Sequence, residues 1–409
     1  NTHFIQTNHF FDKNPIRKKR YYGSVCLCFN KYIGCSRING KNGMTKALYL
    51  SGGGARSAYQ VGVLKGIQEV MQFSGKLPIN ILSCVSAGAI NGSMLAMHAD
   101  NFPKAVHKLE HLWRNLKCSD VFKDSNFSIL KSLLRNLSSV FFGQSSKGYL
   151  LDTAPLAALL NSELDFDRIN KMVLEGNLKA FEVAANCYDL SETVSFLKSQ
   201  NQFISWRRVR HISYQTDIKA EHILASSAIP LFFPTVNIGV LNYGDGTMRL
   251  ATPLRGAIKL GAEKIFIIST RAPGRPHELM GGRVKDNVTF GTILGSMMNA
   301  LFLDNLDRDL EMLDNLNQRL KIGKIVSSHW RYIATTHISP SDDLGSYAQD
   351  YEHNVTWLLR FLMRYLGSAE QSGDFLSFLL FDGEYAGKLI DIGYQDALNQ
   401  SESIIDFFR

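Results

Sequence analysis

Three short segments of this 409-residue chain carry groups that suit ester or acyl chemistry. Ser86 lies in Cys84-Val85-Ser86-Ala87-Gly88, between an apolar run that ends at Val85 and small residues that open a helical pattern. A sharp strand-to-helix turn lifts a hydroxyl clear of a sheet edge and aims helix N–H groups at developing negative charge, as a nucleophile requires. The same serine also suits a plain helix cap, and Ser51-Gly52-Gly53 repeats the Ser-x-Gly pattern, so the context carries more than the tripeptide does. Gly52-Gly53-Gly54-Ala55-Arg56-Ser57 follows an earlier apolar run. Consecutive glycines allow positive φ and close backbone approach, so their amides can converge on an oxyanion. A nucleotide loop is the competing reading. Against it, Ser57 stands where a dinucleotide fingerprint wants its third glycine, and no Gly-Lys-Ser/Thr follows. Asp245, in Asn242-Tyr243-Gly244-Asp245-Gly246-Thr247, fits either an ordinary turn or a base held at a tight corner.

Taken together and in this order, the segments resemble the patatin-like phospholipase family over about Lys46 to Ser269. That family pairs a glycine-rich oxyanion loop with Gly-x-Ser-x-Gly and a later Asp-Gly-Gly or Asp-Gly-Ala. Ala225-Ser226-Ser227-Ala228-Ile229-Pro230, with Phe233-Pro234, also looks like a segment these proteins carry ahead of the aspartate. The resemblance implies a serine lipid-acyl hydrolase in which Ser86 is the nucleophile, Asp245 its base, and Gly52, Gly53 and Gly54 the oxyanion hole, with Arg56 beside it. It further implies an acyl-serine path, no cofactor, and a lipid substrate at a membrane surface. Two departures stand out: Cys84 replaces the first glycine of the elbow, whose second, Gly88, is kept, and Thr247 replaces the small residue after Asp245-Gly246. Both substitutes are modest in size, so activity is expected to survive. Ser57 also replaces a usual glycine and is expected to cap the helix that follows.

A dyad without histidine makes its own demand. An aspartate near its ordinary pKa of about 4 is a weak base toward a hydroxyl, so Asp245 must sit in a partly dry place and bond Ser86 directly. The alternative is a Ser-His-Asp triad, for which the chain order leaves His277, His329, His337 or His353. None has a telling context; His98 and His107 flank the helix after Ser86 and read as exposed. No His-Glu-x-x-His or similar metal set occurs, so metal-independent chemistry is expected. A non-catalytic lipid- or partner-binding protein on the same fold is the remaining alternative.

The elements that must position these residues are legible as patterns. Ala47–Leu50 and Asn80–Val85 read as strands, each followed at once by a helix, which gives a right-handed βαβ unit in a parallel sheet. Leu178–Ala185 and Lys264–Ser269 read as further central strands. The expected fold is α/β, a three-layer sandwich with a mostly parallel central sheet and a helical C-terminal region. Residues 44–284 form the expected catalytic domain and 285–409 the helical region, with Arg271–Val284 as the boundary and a protein partner as a possible ligand of 285–409. Val121–Leu151 is rich in Phe and Leu. Its Phe122, Phe127, Ile129, Leu130, Leu133, Leu134, Leu137, Phe141 and Phe142, with Lys123, Lys131 and Arg135, suit either a basic face on a bilayer or a helix packed on the core.

Composition narrows the field. Apolar residues make up 45% and charged ones 20%, which fits a globular chain. The net charge of +8 resides mainly in residues 1–43, which hold eight Lys or Arg against Asp12, so the body is near neutral and is not expected to bind nucleic acid. That leader lacks a hydrophobic period and the apolar core of a secretory signal; it is expected to be disordered, with Met44 a candidate start. Cys26, Cys28, Cys35, Cys84, Cys118 and Cys187 are scattered, as reduced thiols are. A cytoplasmic or peripheral-membrane setting is therefore expected, with export lacking a cleavable signal as a variant of it.

Overall fold

Fifteen helices and ten strands are built by residues 44–142, 148–200, 205–272, 304–323, 330–366 and 372–409 of a computed structural model, the described part of the chain together with three single positions between 293 and 300. The leader 1–43, most of the boundary segment 271–284, and His277 and His329 lie outside the described residues.

The strands are β1 (Lys46–Leu50), β2 (Ile81–Val85), β3 (Ala180–Cys187), β4 (Glu192–Ser199), β5 (Arg207–Arg208), β6 (His211–Gln215), β7 (Val236–Ile238), β8 (Leu241–Asp245), β9 (Lys264–Ile268) and β10 (Ala334–Ile338). They join one sheet in the order β10-β9-β1-β2-β3-β4-β6-β5, with the β7–β8 hairpin attached to β3. From β10 to β3 every pairing is parallel; β4 runs antiparallel to β3. Strands buried on both faces read as continuous apolar runs, which is why β1, β2, β3 and β9 are visible in the sequence. The register sets Leu50 beside Cys84 and Ile268, and Val85 beside Ala184, so the loops leaving β1 and β2 emerge together at one carboxyl edge.

The helices are α1 (Ala58–Met71), α2 (Ala87–Met97), α3 (Phe102–Asn115), α4 (Cys118–Val121), α5 (Asn126–Phe142), α6 (Ala154–Glu163), α7 (Phe166–Leu174), α8 (Ala220–Ser226), α9 (Arg255–Lys259), α10 (Asp304–Lys321), α11 (Leu344–Tyr347), α12 (Trp357–Leu366), α13 (Ser372–Leu379), α14 (Gly383–Asn399) and α15 (Ser401–Phe408). One apolar core, around Tyr59, Phe102, Trp113, Phe181 and Phe266, lies between the sheet and α1–α3, α6, α7 and α14. A second, smaller one buries Leu254, Ile265, Leu306 and Leu313 under α9 and α10 on the opposite face. This is the expected three-layer α/β arrangement. The C-terminal region is helical, as expected, yet it also supplies β10, whose Ala-Thr-Thr-His-Ile alternation is too polar to announce a strand.

The closest join between the early and late parts of the chain is α1 on α14. Gly62 and Gly66 let the two backbones approach, with Ile390 and Ala397 filling the side-chain space, while Gly393 lies against the Tyr59 carbonyl. Tyr59 Oη donates to Asp396 across the join at 2.9 Å. Of the residues weighed in 121–151, Phe122, ahead of α5, and Ile129 within it are fully buried, as a segment packed on the core requires, whereas Phe127, Leu130 and Leu134 face solvent. Side chains of Leu137, Phe141 and Phe142 are outside the described residues. Among the described residues no helix is long and apolar enough to cross a membrane.

Gly62→Ala provides a test of that join. Alanine normally stabilises a helix over glycine by about 1 kcal/mol, but here its Cβ would stand 1.9 Å from the Ile390 carbonyl oxygen. Overpacking of this kind costs roughly 1–3 kcal/mol, so denaturant titration is expected to show a net loss of stability for Gly62→Ala. Gly75→Ala, where nothing lies within 4 Å, is expected to show none.

Candidate active site

The elbow forms because β2 must hand over to α2 with no intervening loop. Ser86 takes φ 56° and ψ −136°, a strained backbone for a residue with a side chain. Two contacts hold it there. Its amide donates to Ser226 Oγ at 2.8 Å, and that hydroxyl in turn donates to the Ala184 carbonyl at 2.6 Å. Below it, Gly88 is required, since a Cβ there would stand 2.5 Å from the carbonyl oxygens of Leu50 and Ser51.

Asp245 closes β8, which runs antiparallel to β3 and pairs Asp245 with Ala185, next to the strand that carries the elbow. Its amide donates to the Ala228 carbonyl at 3.1 Å. The segment Ala225–Pro230 therefore holds both partners, through Ser226 for the serine and Ala228 for the aspartate. The result is a direct hydrogen bond: Ser86 Oγ donates to Asp245 Oδ2 at 2.6 Å, with Ser86 1% exposed and Asp245 fully buried.

Thr247 completes the carboxylate's surroundings, a role the sequence does not reveal. Both its amide, at 2.9 Å, and its hydroxyl, at 2.6 Å, donate to Asp245 Oδ1, which leaves Oδ2 for Ser86. Burial is the largest influence on this carboxyl and pushes its pKa up to about 6, against the lowering effect of the bonds from Ser86 and Thr247. Gly246 must be a glycine because a Cβ there would meet the Ala184 carbonyl oxygen at 2.2 Å.

Gly52 lies against the pair, its Cβ position 2.7 Å from Thr247 Cγ2 and 3.0 Å from Ser86 Cβ. Gly54 adopts φ 55°. Among the described residues, the amides of Gly52, Gly53 and Gly54, and that of Ala87 at the start of α2, donate to no protein group. Arg56 is held by α13 instead: its Nε donates to Ser377 Oγ at 2.6 Å and its guanidinium lies 4.4 Å from the Phe378 ring centre. Ser57 immediately precedes α1, but its hydroxyl makes no cap, contrary to expectation, because Ser57 itself has helical backbone; it is buried with no partner among the described residues.

Cys84 is accommodated from the opposite side. A Cβ on Gly92 of α2 would stand 2.4 Å from its sulfur, so the glycine missing from the elbow is matched by one on the packing helix. The thiol is free and buried, as are those of Cys118 and Cys187.

None of the histidines weighed for a triad is brought to Ser86 among the described residues. His337 is on β10, bonded to Ser269 Oγ at 2.8 Å, and His353 lies in a short 3-10 turn before α12. His98 corrects an expectation: it is buried at the end of α2, with its pKa lowered by desolvation, whereas His107 is exposed as expected.

From Ser86 an apolar cavity extends between α2, α3 and α6, past Ile90, Met94, Trp113, Leu160 and Phe233. Its lining is almost wholly apolar, and it is partly open to solvent. Trp113 is fixed in its wall by a 2.8 Å bond from Nε1 to Asn91 Oδ1.

Lysophospholipase nte1 of Aspergillus terreus is 37% identical over 78 residues, a match that covers 18% of this chain and 5% of that protein's length. The crystal structure of VipD from Legionella pneumophila aligns over 88% of this chain and 67% of its own at 11% identity, with a TM-score of 0.31. The sequence profile of the patatin-like phospholipases matches residues 48–258, more than half of the chain and the whole span from glycine loop to Asp245; the chain belongs to that family.

Proposed function

We propose that the chain hydrolyses carboxylic esters of phospholipids or lysophospholipids through an acyl-Ser86 intermediate, with Asp245 as the only side-chain base. The observation that carries this reading is the 2.6 Å bond between Ser86 Oγ and a fully buried Asp245 carboxylate at the head of an apolar cavity. Family membership supplies the lipid-hydrolase class.

In this reading an acyl chain lies in the cavity with its ester carbon above Ser86. The hydroxyl proton passes to Asp245 Oδ2 as the C–O bond forms, and the carbonyl oxygen becomes an oxyanion. Gly52, Gly53, Gly54 and Ala87 have amides without acceptors among the described residues and serve as its donors; a single such donor is worth about 3 kcal/mol. Collapse returns the proton to the leaving oxygen, and water then releases the acid by the same steps reversed. Arg56 serves to hold the glycine loop to α13 in this account. A raised Asp245 matters because a carboxylate near its ordinary value is too weak a base; a pKa of about 6 narrows the gap while leaving the group ionised at neutral pH.

Ser86→Ala and Asp245→Asn are each expected to lower ester turnover by about a thousandfold or more. Thermal unfolding separates chemistry from misfolding. A carboxyl whose folded pKa lies above its unfolded one binds more protons when folded, so this group's contribution to stability falls as pH rises from about 4 toward 6. Once ionised it costs the fold about 3 kcal/mol, so Asp245→Asn is expected to melt no lower than wild type at pH 7.5 while being inactive. Single replacement of His277, His329, His337 or His353 is expected to leave turnover near normal; loss at any of them would favour the triad. The pH profile of kcat/KM is expected to fall on the acid side with a midpoint near 6. Thr247→Val removes a bond that favours the ionised form, so its midpoint is expected to move to higher pH. An unmoved profile would remove Asp245 from the role of base.

A further inference from the structure

We infer that α5 and α12 together form a docking surface for an anionic phospholipid bilayer. The proposal rests on the lipid-hydrolase reading only for its purpose; the surface itself is argued from what these two helices expose.

The helices are neighbours, since the Leu358 amide at the start of α12 donates to Asn126 Oδ1 at the start of α5 at 3.2 Å. Their inner sides are anchored by Ile129 and Leu359, both fully buried. Outward, α5 presents Phe127, Leu130 and Leu134, a stripe at helical spacing that is 75%, 47% and 58% exposed. On α12, Trp357 is 62% exposed and lies beside Phe361, ring centres 6.3 Å apart and tilted to each other. Monomeric proteins rarely expose so many large apolar side chains on adjoining elements unless the surface has a partner.

Charge selects the partner. On α5 Lys131 is exposed, while Arg135 and, on α12, Arg360 turn their guanidinium groups onto Tyr149 and the Val355 carbonyl yet still add positive charge to the face, and residues 126–142 and 357–366 hold no Asp or Glu. A two-fold pairing of the chain through this face would set cations against cations, because an isologous contact brings the same patch to itself. An anionic bilayer offers the reverse: phosphates for the basic groups and hydrocarbon for the apolar stripe. Place argues the same way. α12 packs on α13, whose Phe378 carbonyl lies over Gly54 and whose Ser377 holds Arg56. The apolar face thus tops the helices that close over the glycine loop beside Ser86. A bilayer seated there lies next to the layer through which its own lipid must pass.

The test is co-sedimentation of the full chain with phosphatidylcholine vesicles made with and without phosphatidylglycerol, using Ser86→Ala as background so that vesicles stay intact. Binding is expected, stronger with phosphatidylglycerol. Phe127→Ser combined with Trp357→Ser is expected to lower the partition coefficient about tenfold or more on both, and Lys131→Glu to lower it on the phosphatidylglycerol vesicles alone. In an active background the double variant is expected to retain wild-type turnover of a short soluble ester, with an unchanged melting temperature. Absent vesicle binding by the parent, or equal binding by the double variant, would overturn the proposal. So would a lipid-free dimer that this variant converts to monomer. Vesicle binding without hydrolysis of any ester would sustain the docking surface while ending the enzymatic reading, so the two fail separately.

Discussion

A carboxylate kept dry within bonding distance of a hydroxyl is the constraint around which the rest of this fold is arranged. Removing water from Asp245 raises its affinity for a proton, and the bonds from Ser86 and Thr247 stop that rise near 6 rather than letting the group turn neutral. The balance depends on three separate parts of the chain: the elbow after β2, the end of β8, and the Ser226–Ala228 segment that bonds to both. Moving any one by an ångström breaks one of these bonds.

Close backbone approach is what makes the arrangement possible. Gly52 beside Ser86, Gly88 beneath β1 and Gly246 against β3 each occupy a place where a methyl group would collide with backbone or with a reacting residue. The same device joins the distant parts of the chain, through Gly62 and Gly66 on one helix and Gly393 on its partner. The C-terminal residues are thereby part of the layer that supports the site, and α13 lies directly over the glycine loop.

Much of this could be read from the sequence because it depends on local rules. Buried parallel strands are continuous apolar runs, and a tight strand-to-helix turn demands small residues around a lone serine, so β1, β2 and the elbow stand out. What escaped were properties that only tertiary contact creates. Cys84 reads as a tolerated departure from the elbow pattern, but the reason it is tolerated, Gly92 eight positions on making room for its sulfur, is visible only in the fold. Thr247 reads as a modest replacement without a role until its hydroxyl is found on Asp245. His98 reads as exposed because it is a polar residue at the end of a helix, yet α7 folds over it: Arg168 donates to the Met97 carbonyl at 2.8 Å. β10 was missed because it is recruited to the sheet by β9 rather than by its own apolar content.

The central claim is that one serine reacts and one aspartate makes it reactive. Its most direct measurement is mass-spectrometric mapping of the adduct formed with a fluorophosphonate, with labelling followed over time in wild type and in Asp245→Asn. The account predicts a single adduct on the peptide bearing Ser86, formed at least about a hundredfold more slowly in the variant. An adduct on another residue, or equal labelling of the two proteins, would contradict it.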